Sequence, residues 1–328
     1  MTRALILAAG FGTRLGSLSD ERPKPLLPVC DYPLIRYAIA LLAGNGVREI
    51  AINLHHRGEL IERELGDGGA LGVRLTYSRE PAILGTGGGI RRLYEFLTDG
   101  GHEPFLVVNG KILIDVDLHA LLERHVSVGA AATMVLRETP DAARWGAIEV
   151  GAGGRVTKIL DHGAAGERVC MFTGVHALSP RFVLRLPADR ESDSIRQAYL
   201  PALAAGERIE GVVTSGYFHE HSTPERYLEG NVNALRGRAT VRHLPGPLTG
   251  VAPSAEVHPS VELIAPYRIS DGARIDAGAC IGPDVVVGAR ARIGEGAHLE
   301  RAVVWPASTV TGNIRDSIVT PRGVQLVA

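Results

Sequence analysis

Val251, Val257, Leu263, Ile269, Ile275, Ile281, Val287, Ile293 and Leu299 follow one another at a strict spacing of six residues. A helix repeats its buried face about every 3.6 residues and a half-buried strand every two, so a period of six belongs to neither. Small or β-branched side chains stand four residues after most of these aliphatics: Ala255, Val261, Ala273, Ala279, Val285, Ala291 and Ala297. Gly282, Gly288 and Gly294 each follow their aliphatic directly. The pattern fits a hexapeptide parallel β-helix, in which three hexads complete one triangular coil and the aliphatics stack inside.

The first two thirds of the chain read differently. Leu5–Ala9, Glu49–Leu54, Val73–Tyr77, Phe105–Val108 and Ala131–Leu136 are short β-rich runs expected to be strands, several of them nearly all apolar. Between them, Leu34–Ala43, Glu59–Leu65, Gly88–Leu97 and Leu118–His125 carry helical patterning, and Asp117 stands where it would cap the last of these. Strands buried on both faces and alternating with helices predict a three-layer α/β/α sandwich over residues 1–236. The proline- and glycine-containing stretch 237–250 reads as a linker to the β-helix of residues 251–328.

Composition removes several classes of function. The 35 Lys+Arg balance 36 Asp+Glu at a net charge of -1, which gives no general field for nucleic acid or an anionic membrane. The three cysteines, Cys30, Cys170 and Cys280, form no CxxC or Cys/His cluster, so neither a disulfide framework nor a zinc site is expected. Ala4 to Ala9 is too short for a secretory segment, and no run reaches the ~20 apolar residues of a membrane helix. A cytoplasmic protein with no nucleic-acid or membrane partner is expected.

The chemistry concentrates at the predicted strand ends, where ligands bind in open α/β sheets. Leu5-Ile6-Leu7-Ala8-Ala9 runs into Gly10-Phe11-Gly12-Thr13-Arg14, and Pro23-Lys24-Pro25 follows. Glycines let backbone N–H groups approach phosphate oxygens, Arg14 offers a planar donor fork, and two prolines stiffen the chain around the Lys24 ammonium. A glycine turn with an exposed arginine is the plain alternative, but strand, GxGTR and PKP together favour a polyphosphate site. The spacing matches neither GxxxxGK[ST] nor GxGxxG, which disfavours a Walker NTPase and a dinucleotide dehydrogenase.

These segments resemble the sugar-1-phosphate nucleotidyltransferases, the NDP-sugar pyrophosphorylase family. The resemblance implies a Rossmann-like α/β/α nucleotidyltransferase domain followed by a left-handed hexapeptide β-helix. It implies an enzyme that joins an NTP to a sugar-1-phosphate, forming an NDP-sugar and pyrophosphate, with Mg²⁺ as cofactor. Carried onto this sequence, Ala8, Ala9, Gly10, Gly12, Thr13, Arg14 and Asn109 would hold the nucleotide, and Lys24 would contact phosphates at the reacting centre. Leu84-Gly85-Thr86-Gly87-Gly88 matches the family's second glycine segment, placing Gly85, Thr86 and Gly87 near base and sugar. Trp145-Gly146-Ala147-Ile148-Glu149 and Phe172-Thr173-Gly174 match segments of the sugar pocket, which assigns Gly146, Glu149, Thr173 and Gly174 to the sugar phosphate.

The metal site departs from that pattern. Where the family carries an aspartate in a VNGD-like strand end, this chain has Asn109-Gly110-Lys111, and Glu220 stands for the second aspartate. An ammonium cannot coordinate Mg²⁺, which needs hard oxygen ligands, and neither Asp115 nor the imidazoles of His219 and His221 are expected to restore the site. Lys111 is expected instead to take the metal's place and pair with Glu220. After Val156-Thr157-Lys158-Ile159-Leu160, Asp161 and His162 replace the family's sugar-gripping pair, so the sugar is not legible. Two functions stay open: a pyrophosphorylase with an altered metal site, and a non-catalytic sugar-nucleotide-binding relative that regulates an active paralogue. A hexapeptide acyltransferase is disfavoured, since His258 and His298 fall at variable hexad positions. The β-helix is expected to build a homo-oligomer, and cutting after Arg238 to leave nucleotide affinity nearly intact.

Overall fold

The computed structural model describes residues 2–188 and 190–327. The chain divides into two compact units: Met1–Phe11, Ala38–Gly110 and Asp115–Gly216 form the first, and Gly12–Tyr37, Lys111–Ile114 and Tyr217–Ala328 form the second. Segments read from hydrophobic period and units drawn by spatial packing thus differ, because two short N-terminal stretches pack with the C-terminal third.

In the first unit one mixed sheet is built from β1 (Arg3–Leu7), β2 (Glu49–Leu54), β3 (Arg74–Arg79), β4 (Phe105–Asn109), β5 (Ala132–Glu138), β6 (Ile148–Val150), β7 (Val156–Ile159), β8 (His162–Gly163), β9 (Arg168–Leu178) and β10 (Ile209–Val213). The order is β8-β7-β6-β9-β4-β1-β2-β3, with β5 paired to β9 and β10. β1 is central, parallel to β2 through Leu5 and Ala51 and to β4 through Leu5 and Val107. Its residues Ala4, Leu5 and Ile6 are fully buried, which explains the unbroken apolar run. β9 runs antiparallel to β4 and β5, and its register with β5 shifts between Phe172 and His176.

The expected helices are found at Leu34–Gly44, Gly58–Leu65 and Leu118–Ser127, the last capped by the Asp117 side chain accepting from the Ala120 N–H. The helix expected over Gly88–Leu97 is two helices, Gly85–Arg92 and Tyr94–Thr98, breaking at Leu93. It starts earlier than glycine's low helix propensity suggests because the Gly87 N–H donates to the Ser192 carbonyl at 2.8 Å. Tertiary anchoring outweighs local preference there.

In the second unit, residues 250–320 form parallel ladders whose partners are spaced as a three-hexad coil requires. Val251 pairs with Ile269, Ile269 with Val287, and Ile281 with Leu299, each offset by eighteen residues. The offset then shortens, with Val287 opposite Val304 and Leu299 opposite Ile314. Ile269, Ile275, Ile281, Val287, Ile293 and Leu299 stack into one core with Ala273, Ala279, Ala291 and Ala297.

A second core in this unit joins Leu15, Leu18, Leu27, Val29 and Leu34 to Tyr227, Leu228, Val286, Val303, Trp305, Ile318 and Val327. Buried Trp305 donates its indole N–H to the Tyr227 hydroxyl at 3.1 Å, and that hydroxyl donates in turn to the Pro28 carbonyl. Arg236 forks onto Asp284 at 2.8 and 2.5 Å. The expectation for a cut after Arg238 therefore meets a shared core. Truncation there would strip one wall from the core that supports residues 15–34. Among the described residues no helix is long and apolar enough to cross a membrane, and Cys30, Cys170 and Cys280 are free thiols.

Candidate functional site

The basic residues of the opening motifs meet on one carboxylate. Glu220 Oε1 lies 2.8 Å from Lys111 Nζ, 3.6 Å from Lys24 Nζ and 3.6 Å from an Arg14 guanidinium nitrogen. The predicted ion pair between Lys111 and Glu220 is present as a direct hydrogen bond.

Local chain geometry explains the convergence. Ile112–Ile114 and Phe218–Glu220 form a two-stranded antiparallel ribbon that sets Ile112 opposite Glu220, so Lys111 reaches the carboxylate from the ribbon's end. Gly12 has φ 71 and opens the 3-10 turn Thr13–Leu15; a Cβ there would lie 3.3 Å from Lys24 Cβ, so a side chain would be strained as well as crowded. Lys24–Leu26 is a second 3-10 turn capped by Pro23 with Pro25 inside it, as the PKP reading requires. The Glu220 segment is held from behind, where Arg226 Nε donates to the Glu220 carbonyl at 2.9 Å and His219 Nε2 lies 2.7 Å from the Arg226 carbonyl.

Electrostatics follow from burial and from this crowding. The Lys24 pKa is pushed down to about 7, first by burial and then by the neighbouring Lys111 charge, against the opposing pull of Glu220. Burial alone would raise the Glu220 pKa, but Lys111, Lys24 and Arg14 outweigh it and hold the carboxyl below its usual value. One carboxylate thus faces three basic groups; Arg14 and Lys111 alone outnumber it, and protonation of Lys24 adds to the surplus positive charge. His221 is fully buried beside it, with neither ring nitrogen hydrogen-bonded among the described residues, and its pKa lies well below the usual value, first through burial.

The Mg²⁺ implied by resemblance does not fit this donor set. Mg²⁺ requires near-octahedral oxygen coordination, whereas Glu220 Oε1 is covered by three basic groups, one an ammonium at hydrogen-bond distance. No group of three or more His, Cys, Asp or Glu residues among the described residues is arranged to hold a metal.

The remaining expected residues lie in the first unit. Ala8 donates its N–H to Asn53 Oδ1 at 2.8 Å, and nothing lies within 4 Å of where a Cβ would project from Gly10. Gly85 has φ +67, and added Cβ atoms at Gly85, Gly87 and Gly88 would strike residues 190–192. Close packing alone thus requires these glycines. Thr86 Oγ1 accepts from the Ser194 N–H at 2.9 Å.

Thr173 and Gly174 occupy the register shift in β9, where Thr173 Oγ1 donates to the Val135 carbonyl at 2.7 Å. Gly174, at φ +86, lies against the Asn109 side chain. Glu149 is already engaged, accepting from Lys158 Nζ and from the Gly166 N–H, both at 2.9 Å. Gly146 follows the Ala142–Trp145 turn at φ 86.

Sequence reading missed Asn53 and Glu80. Asn53 Nδ2 donates to Glu80 Oε1 at 2.8 Å, and Glu80 Oε2 accepts from the Leu84 N–H at 2.9 Å. This buried chain of bonds ties Ala8, before the first glycine loop, to Leu84, before the second. The available signal was one amide inside the otherwise apolar run Ile50-Ala51-Ile52-Asn53-Leu54.

Comparison with known proteins agrees with this architecture. Residues 3–236 match the nucleotidyl transferase family, and residues 266–301 match the bacterial transferase hexapeptide of six repeats. The chain is 30% identical to the mannose-1-phosphate guanylyltransferase of Mycobacterium tuberculosis, over 92% of this chain and 79% of that protein. It is 27% identical to the UTP--glucose-1-phosphate uridylyltransferase of Synechocystis, over 98% of this chain and 87% of that one. The crystal structure of HddC from Yersinia pseudotuberculosis superposes with TM-score 0.59 at 25% identity, covering 70% of this chain and 98% of HddC. The chain belongs to the nucleotidyl transferase family. Its nucleotidyltransferase domain and hexapeptide β-helix are those of the sugar-1-phosphate nucleotidyltransferases.

Proposed function

We propose that this chain transfers a nucleotidyl group from an NTP to a sugar-1-phosphate, with GTP and mannose-1-phosphate the first pair to test. The observation that carries the reading is the convergence of Arg14, Lys24 and Lys111 on a single oxygen of Glu220. A phosphate oxygen of the sugar-1-phosphate attacks the α-phosphorus. The bond from that phosphorus to the α,β-bridging oxygen breaks, and the oxygen leaves with its electron pair as pyrophosphate. No proton need move, so catalysis consists of positioning and of stabilising charge on phosphoryl oxygens, which suits three convergent basic groups. Family likeness supports roles for the Gly10 and Gly12 backbone at the phosphates, for Gly85, Thr86 and Asn109 at the nucleoside, and for Gly146 and Gly174 at the sugar phosphate. Glu149, holding Lys158 and Gly166, shapes its hairpin.

The test is pyrophosphate release from GTP with mannose-1-phosphate and from UTP with glucose-1-phosphate, with and without Mg²⁺. Release with at least one pair is expected. No release with any NTP and sugar-1-phosphate, alongside retained triphosphate binding, would favour a non-catalytic nucleotide-binding relative. The specific observation behind that second reading is that an ion pair stands where the family's aspartates are expected.

A further inference from the structure

We propose that Glu220 is a built-in stand-in for phosphate, and that a triphosphate displaces it from Lys111, Lys24 and Arg14 without help from a divalent ion. This rests on the reading of the cluster as a triphosphate site, and it explains what a carboxylate does among three basic groups. In the empty site, Glu220 Oε1 offsets part of a charge that would otherwise push Lys24 and Lys111 apart. When phosphate oxygens arrive, each cation exchanges one oxyanion partner for another, and the charge-assisted bonds are replaced rather than lost. Lys111 can release Glu220 readily: it sits at the end of a two-stranded ribbon and is about one third exposed. Lys24 is held by its flanking prolines and stays.

The exchange has a consequence opposite to metal-dependent binding. A divalent ion on the triphosphate neutralises the charge that the three cations seek, so it competes with the protein. The metal-free polyphosphate is the preferred ligand.

The experiment uses the full chain and calorimetry with inorganic tripolyphosphate, a probe that carries no base or sugar. Binding in EDTA is expected, weakening about tenfold in excess Mg²⁺. Lys111→Ala should lose about tenfold of the EDTA affinity, while Lys111→Arg, which keeps the charge and guards against a folding artefact, retains most of it. Glu220→Gln should bind tripolyphosphate more tightly in EDTA, because no internal anion remains to be displaced. Loss of tripolyphosphate binding in EDTA, or weaker binding by a folded Glu220→Gln, would overturn the proposal. The outcome is independent of turnover. Binding in EDTA without pyrophosphate release would retain the exchange and discard the transferase reading, and Mg²⁺-dependent release with no EDTA binding would do the reverse.

Discussion

Glu210 in the first unit and Glu220 in the second are both buried carboxylates gripped by basic side chains, yet they are built to different ends. Glu210, 1% exposed, has both oxygens taken: Arg124 Nε donates to Oε1 at 2.8 Å, and Arg208 Nε to Oε2 at 2.9 Å. Both guanidinium groups also reach the Gly153 carbonyl, which fixes them around Glu210. Glu220, 8% exposed, receives three basic groups on one oxygen, and two of them stand off at 3.6 Å. A group whose partners are matched oxygen for oxygen is structural. A group with more cation than it can satisfy is, on the proposal above, a site for another anion.

The largest effect that would test this difference is expected at Lys24. Lys24→Met should lower tripolyphosphate affinity about a hundredfold by calorimetry, while the empty protein stays as stable or gains stability in a denaturant titration. Replacing a buried charge by an apolar side chain is often neutral or favourable when, as here, Lys111 and Arg14 still cover Glu220. A large stability loss would make the Glu220 cluster structural, like its counterpart.

The reverse pattern is expected at Glu210. Glu210→Gln should cost about 1–3 kcal/mol of unfolding free energy, since two guanidinium groups lose an ionic acceptor, and should leave tripolyphosphate affinity within about twofold. A change in affinity larger than the change in stability would dissolve the contrast.

The smallest expected effect is on pH dependence. Because the Lys24 pKa is lowered to about 7, the ammonium is present below that pH and lost above it, so tripolyphosphate affinity should fall a few-fold as pH rises through about 7. In Lys24→Met that component should vanish. For the empty protein the sign is opposite. Between about 7 and the ordinary value of 10.5, the unfolded chain holds a proton that the folded one has released, so stability rises with pH across that window.

Legibility in the sequence followed the range of the interactions involved. The six-residue period predicted the eighteen-residue ladder offset because each aliphatic meets its like through regular repetition. Its shortening after Val287 comes where the strict spacing of aliphatics ends near Leu299. The Lys111–Glu220 contact was legible because two motif positions that should share one metal must lie together. The Asn53–Glu80 bridge was not, since no local pattern shows which backbone amides will lack partners. Nor was the core between residues 15–34 and the β-helix. Apolar residues such as Leu15 and Trp305 announce that they are buried, but not against what.

That core also sets a timetable. Leu15 and Leu18 leave the ribosome first, yet they pack against Val303, Trp305 and Ile318, which are made last. At roughly 5–20 residues per second of synthesis, the turn that carries Arg14 waits on the order of 15–60 seconds for its supporting wall. The last coils of the solenoid thus complete the core behind residues 15–34 only when synthesis is nearly finished.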